Sequence, residues 1–589
     1  MDHWLDAVRR GLMTRRRFVR TLATLGVAAP LAHQALVAAG LAPAHAQPAA
    51  TWTPTRRGGG GPLRMLWWQA ATLLNPQLTT GLKDADGARL FYEPLVGFDA
   101  DGAVVPVLAA EVPSVDTGTV ARDGLSVVWR LKRNVAWHDG KPFTADDVVF
   151  NWEYGADPAT AASSLGTWER VERVERVDSH TARVVFKKPT PFWAQFGSGM
   201  LIPRHVFQPF RGQKSREAPA NLRPVGTGPY RIVDFRPGDL IRAELHPGYH
   251  LPNRPFFDTV EIKGGGDAVS AARAVLQTGE YDYAWNLQVE DDVLKRLERS
   301  GKGRVDTTFG GTIEHLLVNQ TDPWREVDGE RSSPQSTHPF LTDPAVRAAL
   351  RLLVDRASVQ GEIYGRAAVA TGAYINAPAR FRSSAPWEFS VEKASQALDA
   401  AGWKRGADGI RARDGVKLKV VFQTAINAPR QKTQAIIKRA AAQAGIEMEL
   451  KSTSASAYFS SDPANTDTAS HFNADLQMYA LFMGAPDPEG LMRQFTSAEV
   501  ASKANKWQRR NVTRYRNAEY DKLFAAAEVE LDPAKRAALF IRMNDLIVQQ
   551  AIVVPIVARG QVAAVSNRLK DLGRSGWQSD VWRLAYWHT

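Results

Sequence analysis

Residues 128–154 read VWRLKRNVAWHDGKPFTADDVVFNWEY, and this stretch begins as a strand, turns once and ends as a helix. The run at 126–132, SVVWRLK, is a strand candidate. Asp139-Gly140 is a turn dipeptide, and Pro142 lacks the N–H that a central strand position needs. Thr144 followed three residues later by Asp147 has the form of a capping box, with both groups at the positive end of a helix. Ala145, Val148, Val149 and Trp152 then share one face. His138 with Asp139, Asp146 and Asp147 resembles a metal or acid/base cluster, yet neighbouring side chains on an extended segment point apart. The acids have a corner to turn and a helix to start, so the stretch reads as scaffold.

The same alternation continues outward. Strands are predicted at 63–69, 180–188, 259–263, 314–320, 417–424 and 552–559. Helical spacing occupies 267–279, 290–300, 343–355, 390–402, 429–445, 517–529 and 533–550. This order indicates an α/β fold, and 589 residues are too many for one core. No repeat of fixed period is present. Residues 452–475 are polar and turn-rich and read as a long ordered loop.

The formal charge is +12. Six arginines and two aspartates fall in the first 46 residues, leaving 68 basic and 60 acidic residues in the rest, scattered without blocks. That favours a solvated surface over a nucleic-acid groove. The absence of cysteine excludes disulfides, thiolate chemistry and a lipid-modified cysteine. Residues 14–20, TRRRFVR, precede a mildly apolar run from Thr21 to Leu41 that closes on Ala44-His45-Ala46. This resembles a twin-arginine export signal, with Arg15 and Arg16 as the pair and Phe18 two residues on. A soluble periplasmic protein, not a lipoprotein, is expected. Residues 47–61, ending in four glycines, read as a flexible leader, so the folded body is expected to begin near Pro62.

Taken together, several stretches resemble the family 5 extracellular solute-binding proteins, the dipeptide-, oligopeptide- and nickel-binding components of ABC importers. Besides 128–154, they are LLNPQ at 73–77, FYEPLVGFD at 91–99, VPVLAAEVP at 105–113 and PVGTGPY at 224–230. GEYDYAW at 279–285, HPFLTDPAVRAAL at 338–350, LDAAGW at 398–403, RYRNAEYDKLF at 514–524 and MNDLIVQQAIVVPIV at 543–557 follow. The resemblance implies a two-lobed, Venus-flytrap protein of three domains. Domain I would comprise 62–77, 223–312 and 553–589, domain II 78–222, and domain III 313–552. Strands near 314–320 and 552–557 would be the crossings between lobes. Solute would bind between the lobes and be handed to membrane permease subunits served by separate ATPase subunits, with the binding protein a monomer and no cofactor implied.

Carried over residue by residue, the resemblance implies solute contacts at Thr80-Gly81-Leu82, at Trp285-Asn286 and in the loop from Met478 to Pro488. In that loop the family aspartate that pairs with a peptide ammonium falls on Gly484, an arginine of some relatives on Met478 and a tryptophan on Leu481. An ammonium buried without a counter-charge costs several kcal/mol, so the usual clamp is expected to be missing unless Asp487 or another acid replaces it. What remains is aromatic and neutral, with Tyr458, Phe459, Tyr479, Ala480 and Phe482 joining Trp68, Gln69, Trp285 and Asn286. Such groups suit a peptide backbone or a sugar face, and core packing is equally open to most of the rings. A peptide or peptide-like solute is the expectation, with an oligosaccharide, glycoside or opine, or a sensor or enzyme on the same fold, as alternatives. His246 and His250 are spaced like helical metal ligands, but Pro247 and Gly248 between them favour a loop. No G-x-S-x-G, H-E-x-x-H or phosphate-cradling loop occurs, so neither an enzyme nor a metal site is expected.

Overall fold

The computed structural model describes Phe18, Thr21 and residues 52–79, 81–460 and 464–589. Apart from Phe18 and Thr21, the export-signal segment lies outside them. Two large sheets carry the fold. The first has seven strands in the order Gly303–Thr308, Gln561–Ser566, Tyr283–Ala284, Pro62–Trp67, Thr259–Gly264, Leu240–Leu245 and Tyr230–Arg236. Pro62–Trp67 lies at its centre, parallel to both neighbours, and its alternation buries Leu63, Met65 and Trp67. The second has six strands in the order Ala368–Ala370, Val553–Arg559, Ile313–Val318, Leu476–Leu481, Lys419–Ala425 and Glu447–Thr453. Every residue of Ile313–Val318 is buried, as both faces of a central strand require. Helices Pro344–Leu352, Val391–Ala400 and Ala428–Ala444 supply apolar faces to the second sheet.

A separate three-stranded sheet runs in the order Ser126–Arg130, Thr181–Phe186, Val171–Asp178, with the helix Ala145–Ala156 against it. The capping box forms as expected, and the Thr144 N–H donates to the Asp147 carboxylate at 3.0 Å. Asp147 also accepts from the Arg204 N–H at 3.0 Å and from Trp137 Nε1 at 3.3 Å. His138 is likewise structural. Burial pulls its pKa down to about 4, and the neutral ring accepts from the Gly226 N–H at Nδ1 and donates from Nε2 to the Gly228 carbonyl. Gly226 has no alternative, because a Cβ there would stand 1.8 Å from the Phe91 carbonyl oxygen.

Two expectations are corrected. Residues 52–61 are not a flexible leader. Arg57 donates to the carbonyls of His246, Tyr249 and Leu251 at 2.8, 2.7 and 3.0 Å and also to Pro247, while Trp52 stacks on His588 at 4.7 Å. The glycines that suggested flexibility take positive φ at Gly58, Gly59 and Gly61, and the N–H groups of Gly59 and Gly61 converge on the Asp258 carboxylate at 2.8 Å each. The second correction concerns Val553–Arg559, which pairs with Ile313–Val318 inside the second sheet, so the chain returns to the first sheet at Gly560 rather than at residue 553.

Candidate ligand crevice between the lobes

Two chain crossings join the sheets. Thr308 pairs with Gln561 in the first sheet and Ile313 with Ala558 in the second, leaving only 309–312 on one strand and Arg559-Gly560 on the other between them. The Arg559 N–H donates to the Thr312 carbonyl at 3.0 Å, and the Gly560 N–H to the Ala367 carbonyl at 2.8 Å. A Cβ on Gly560 would lie 2.3 Å from Thr307 Cγ2, which reserves the position for glycine. So narrow a junction is where a hinge bends.

Beside the junction the lobes border a narrow crevice. The first lobe contributes Asn286, Gln288 and Gly560, and the second Tyr364, Asn427 and Arg559. Asn286 holds a left-handed backbone conformation at φ 48°, and its carbonyl accepts from Trp68 Nε1 at 2.9 Å. Asn427 caps the helix Ala428–Ala444, accepting from the Arg430 N–H, and donates across the crevice to Gln288 Oε1 at 2.5 Å. Under this wall lies a buried charge triad. Glu314 accepts from Arg430 Nε at 2.7 Å and Nη2 at 3.3 Å, and Arg559 Nη1 stands 3.5 Å from its other oxygen. Burial pushes the Glu314 carboxyl up, but the guanidiniums of Arg430 and Arg559 outweigh it and hold Glu314 below the usual range.

Ion pairs fasten the lobes on either side. Arg366 of the second lobe meets Asp291 at 2.9 Å and also Glu298, and Lys432 meets Glu290 at 3.0 Å. Beside the three-stranded sheet, Arg170 pairs with Glu489 and, at 3.0 Å, with Glu528. Arg493 donates to the Gly166 carbonyl at 3.0 Å.

Of the residues the sequence pointed to, Asn286 lines the crevice, and Ala480 sits opposite Glu314 in the ladder of the second sheet. Thr80 lies outside the described residues. Gly81 is the N-cap of the helix Leu82–Ala88, with Leu82 partly exposed, and neither lines the crevice. Trp285 is a core residue. Its ring stacks on Trp67 at 5.1 Å and its Nε1 donates to Asp86 at 2.6 Å, so both its face and its donor are occupied within the lobe. Met478 faces the aliphatic core beside Leu316 and Phe422. Tyr458 is buried and donates to Gln477 at 3.0 Å, while Phe459 stays half-exposed above it and Tyr479 packs on His315. Phe482 lies beside exposed Gly484. Asp487 is held by two donors of Arg536, so its charge is already paired. Sequence reasoning missed Gln288, Tyr364, Asn427 and the triad. One signal was available, since Glu314 is an acid in a strand otherwise read as buried, which demands a cation.

Two lobes joined by a pair of strand crossings beside a lined crevice are the architecture of a two-lobed solute-binding protein. The model for bacterial extracellular solute-binding proteins, family 5 (middle), matches residues 103–503, and the chain belongs to that family. Proteins of this family bind small solutes and work with ABC permeases. The chain is 24% identical over 499 residues to the glutathione-binding protein GsiB of Escherichia coli O1:K1, an alignment covering 85% of this chain and 89% of the relative. Among solved structures it resembles Campylobacter jejuni NikZ in complex with Ni(L-His), with TM-score 0.73, 20% identity and coverage of 90% and 99%. Bacillus subtilis AppA in complex with a nonapeptide gives TM-score 0.73, 22% identity and coverage of 91% and 99%. Among the described residues no helix is long and apolar enough to cross a membrane.

Proposed function

We propose that this protein captures a peptide or peptide-like solute in the interlobe crevice and presents it, closed, to a membrane permease whose ATPase is a separate subunit. The observation that carries this reading is the crevice itself. Neutral amides from both lobes meet there at the pivot, so a solute bridging Asn286 and Gln288 to Asn427 stabilises the closed arrangement over the open one. The protein acts without catalysis, as a monomer, in the periplasm, after export through the twin-arginine pathway. It carries no clamp for a free ammonium, because Gly484 has no side chain and Asp487 already serves Arg536.

A thermal-shift screen, followed by calorimetry, tests this with dipeptides, tripeptides, their N-acetylated forms and oligosaccharides. Glutathione, the solute in the relative's name, belongs in the panel. Free and N-acetylated peptides are expected to stabilise the protein alike. Free peptides binding far more tightly than their acetylated forms would show that an ammonium clamp exists. Stabilisation by oligosaccharides alone would replace the peptide reading.

A further inference from the structure

Arg559 is the only charged residue among the described residues that line the crevice. Its side chain is 15% exposed, and its five donors make no hydrogen bond among the described residues. Its nearest anion is Glu314, 3.5 Å away, but that carboxylate is already gripped by Arg430 at 2.7 and 3.3 Å. The triad therefore holds two cations and one anion, a surplus positive charge largely removed from water. Such a charge is costly unless a second anion shares it. The other interlobe cations Arg366, Lys432 and Arg170 are all matched to acids. The seventeen-residue helix Ala428–Ala444 also turns its N-terminus to the crevice, through Asn427 and Pro429, adding positive potential on the same side.

We infer that the missing partner is supplied by the solute: Arg559 receives a carboxylate, held by the guanidinium fork and flanked by the amides of Asn286 and Asn427. This inference rests on the solute-capture reading and narrows its ligand to an anionic one. Burial pulls Arg559 down from the usual arginine range while Glu314 pulls it back, the balance expected of a guanidinium awaiting an anion. Glu314 and Arg430 act as positioning residues, fixing the plane of the fork from behind.

The test uses the full chain and two matched libraries of N-acetylated tripeptides built without Asp or Glu. One library ends in free carboxylates and the other in carboxamides. Retained peptides are identified by native mass spectrometry and their affinities measured by calorimetry. The acids are expected to bind and the amides not. Arg559→Gln should weaken the acids by roughly ten- to a hundredfold, and Arg559→Lys, which keeps the charge but loses the fork, by less. Amides bound as tightly as acids, or acids bound equally by Arg559→Gln, would overturn the inference while leaving solute capture intact. Retention of neither library would instead sink the peptide reading. The anion site is then decided by acetate against chloride at equal ionic strength. A thermal shift by acetate that Arg559→Gln abolishes supports it, and equal shifts in the two proteins overturn it.

Discussion

Replacing Arg170 with glutamine should loosen the closed form without unfolding either lobe. The Arg170 side chain is 16% exposed and bridges Glu489, 3% exposed, and Glu528. Removing the cation leaves Glu489 buried without its partner, a loss of about 3 to 5 kcal/mol for a buried pair. Opening the lobes returns that carboxylate to water, so the variant can relieve the cost by opening. At the lower end, about 3 kcal/mol displaces the closed–open equilibrium by roughly 150-fold. Small-angle scattering of the unliganded variant should report a larger radius of gyration, and calorimetry a weaker affinity for whichever solute the screen selects. Adding Glu489→Gln should restore much of both, since no uncompensated charge is then buried. Superimposable scattering curves together with affinities within twofold of wild type would refute the reasoning.

Three further outcomes follow from particular contacts. Burial, with Asp580 beside it, pushes the Asp86 carboxyl up to about 7 against hydrogen bonds from Trp285 and Ser579. Its stabilising contribution is therefore full below the unfolded value near 3.8 and is lost as pH rises through 7, at up to about 1.4 kcal/mol per pH unit. Asp86→Asn should flatten the dependence of the urea midpoint on pH and raise stability near pH 8; an unaltered slope contradicts this. Gly560→Ala places a methyl 2.3 Å from Thr307 Cγ2 and should cost about 1–3 kcal/mol in urea unfolding. Adding Thr307→Ser, which deletes that methyl, should recover most of it, and no recovery would place the strain elsewhere. Arg57→Ala removes donors to four carbonyls and should cost about 2 kcal/mol, half-exposure keeping the loss modest. An unchanged urea midpoint would mean that residues 52–61 do not hold the first sheet.

Much of the fold could be read from the chain because its pattern was local. Thr144 and Asp147 announced their helix, and the apolar runs at 63–69 and 314–320 announced the two central strands. Tyr230–Arg236 and Leu240–Leu245 escaped notice because their charged residues are strand partners, Arg231 with Glu244 and, one strand further on, Arg242 with Glu261. Such cross-strand ion pairs look like loop polarity until the register is known. Gln561–Ser566 follows Val553–Arg559 after one glycine, so a single run of apolar residues hides the change of sheet. The crevice was less legible still. Glu314, Arg430 and Arg559 lie more than a hundred residues apart, and no spacing rule links them. Trp285 read as a solute contact because its partners Trp67 and Asp86, which occupy its face and its donor, are far off in the chain and no local pattern announces them.

The crossing at Gly560 also fixes an order of events. In a rotation, displacement grows with distance from the axis, and Arg559 is one residue from that axis while Arg170 bridges the helices that carry Glu489 and Glu528, outside the crossing strands. Groups close to the axle travel little as the jaws swing, so the guanidinium is ready before closure begins, while the amides facing it across the crevice come together only on closing. A solute moored there by one end is then enclosed as the rim swings over its remainder. Axle residues accordingly govern arrival and its dependence on salt, whereas rim pairs govern how long the cargo is kept.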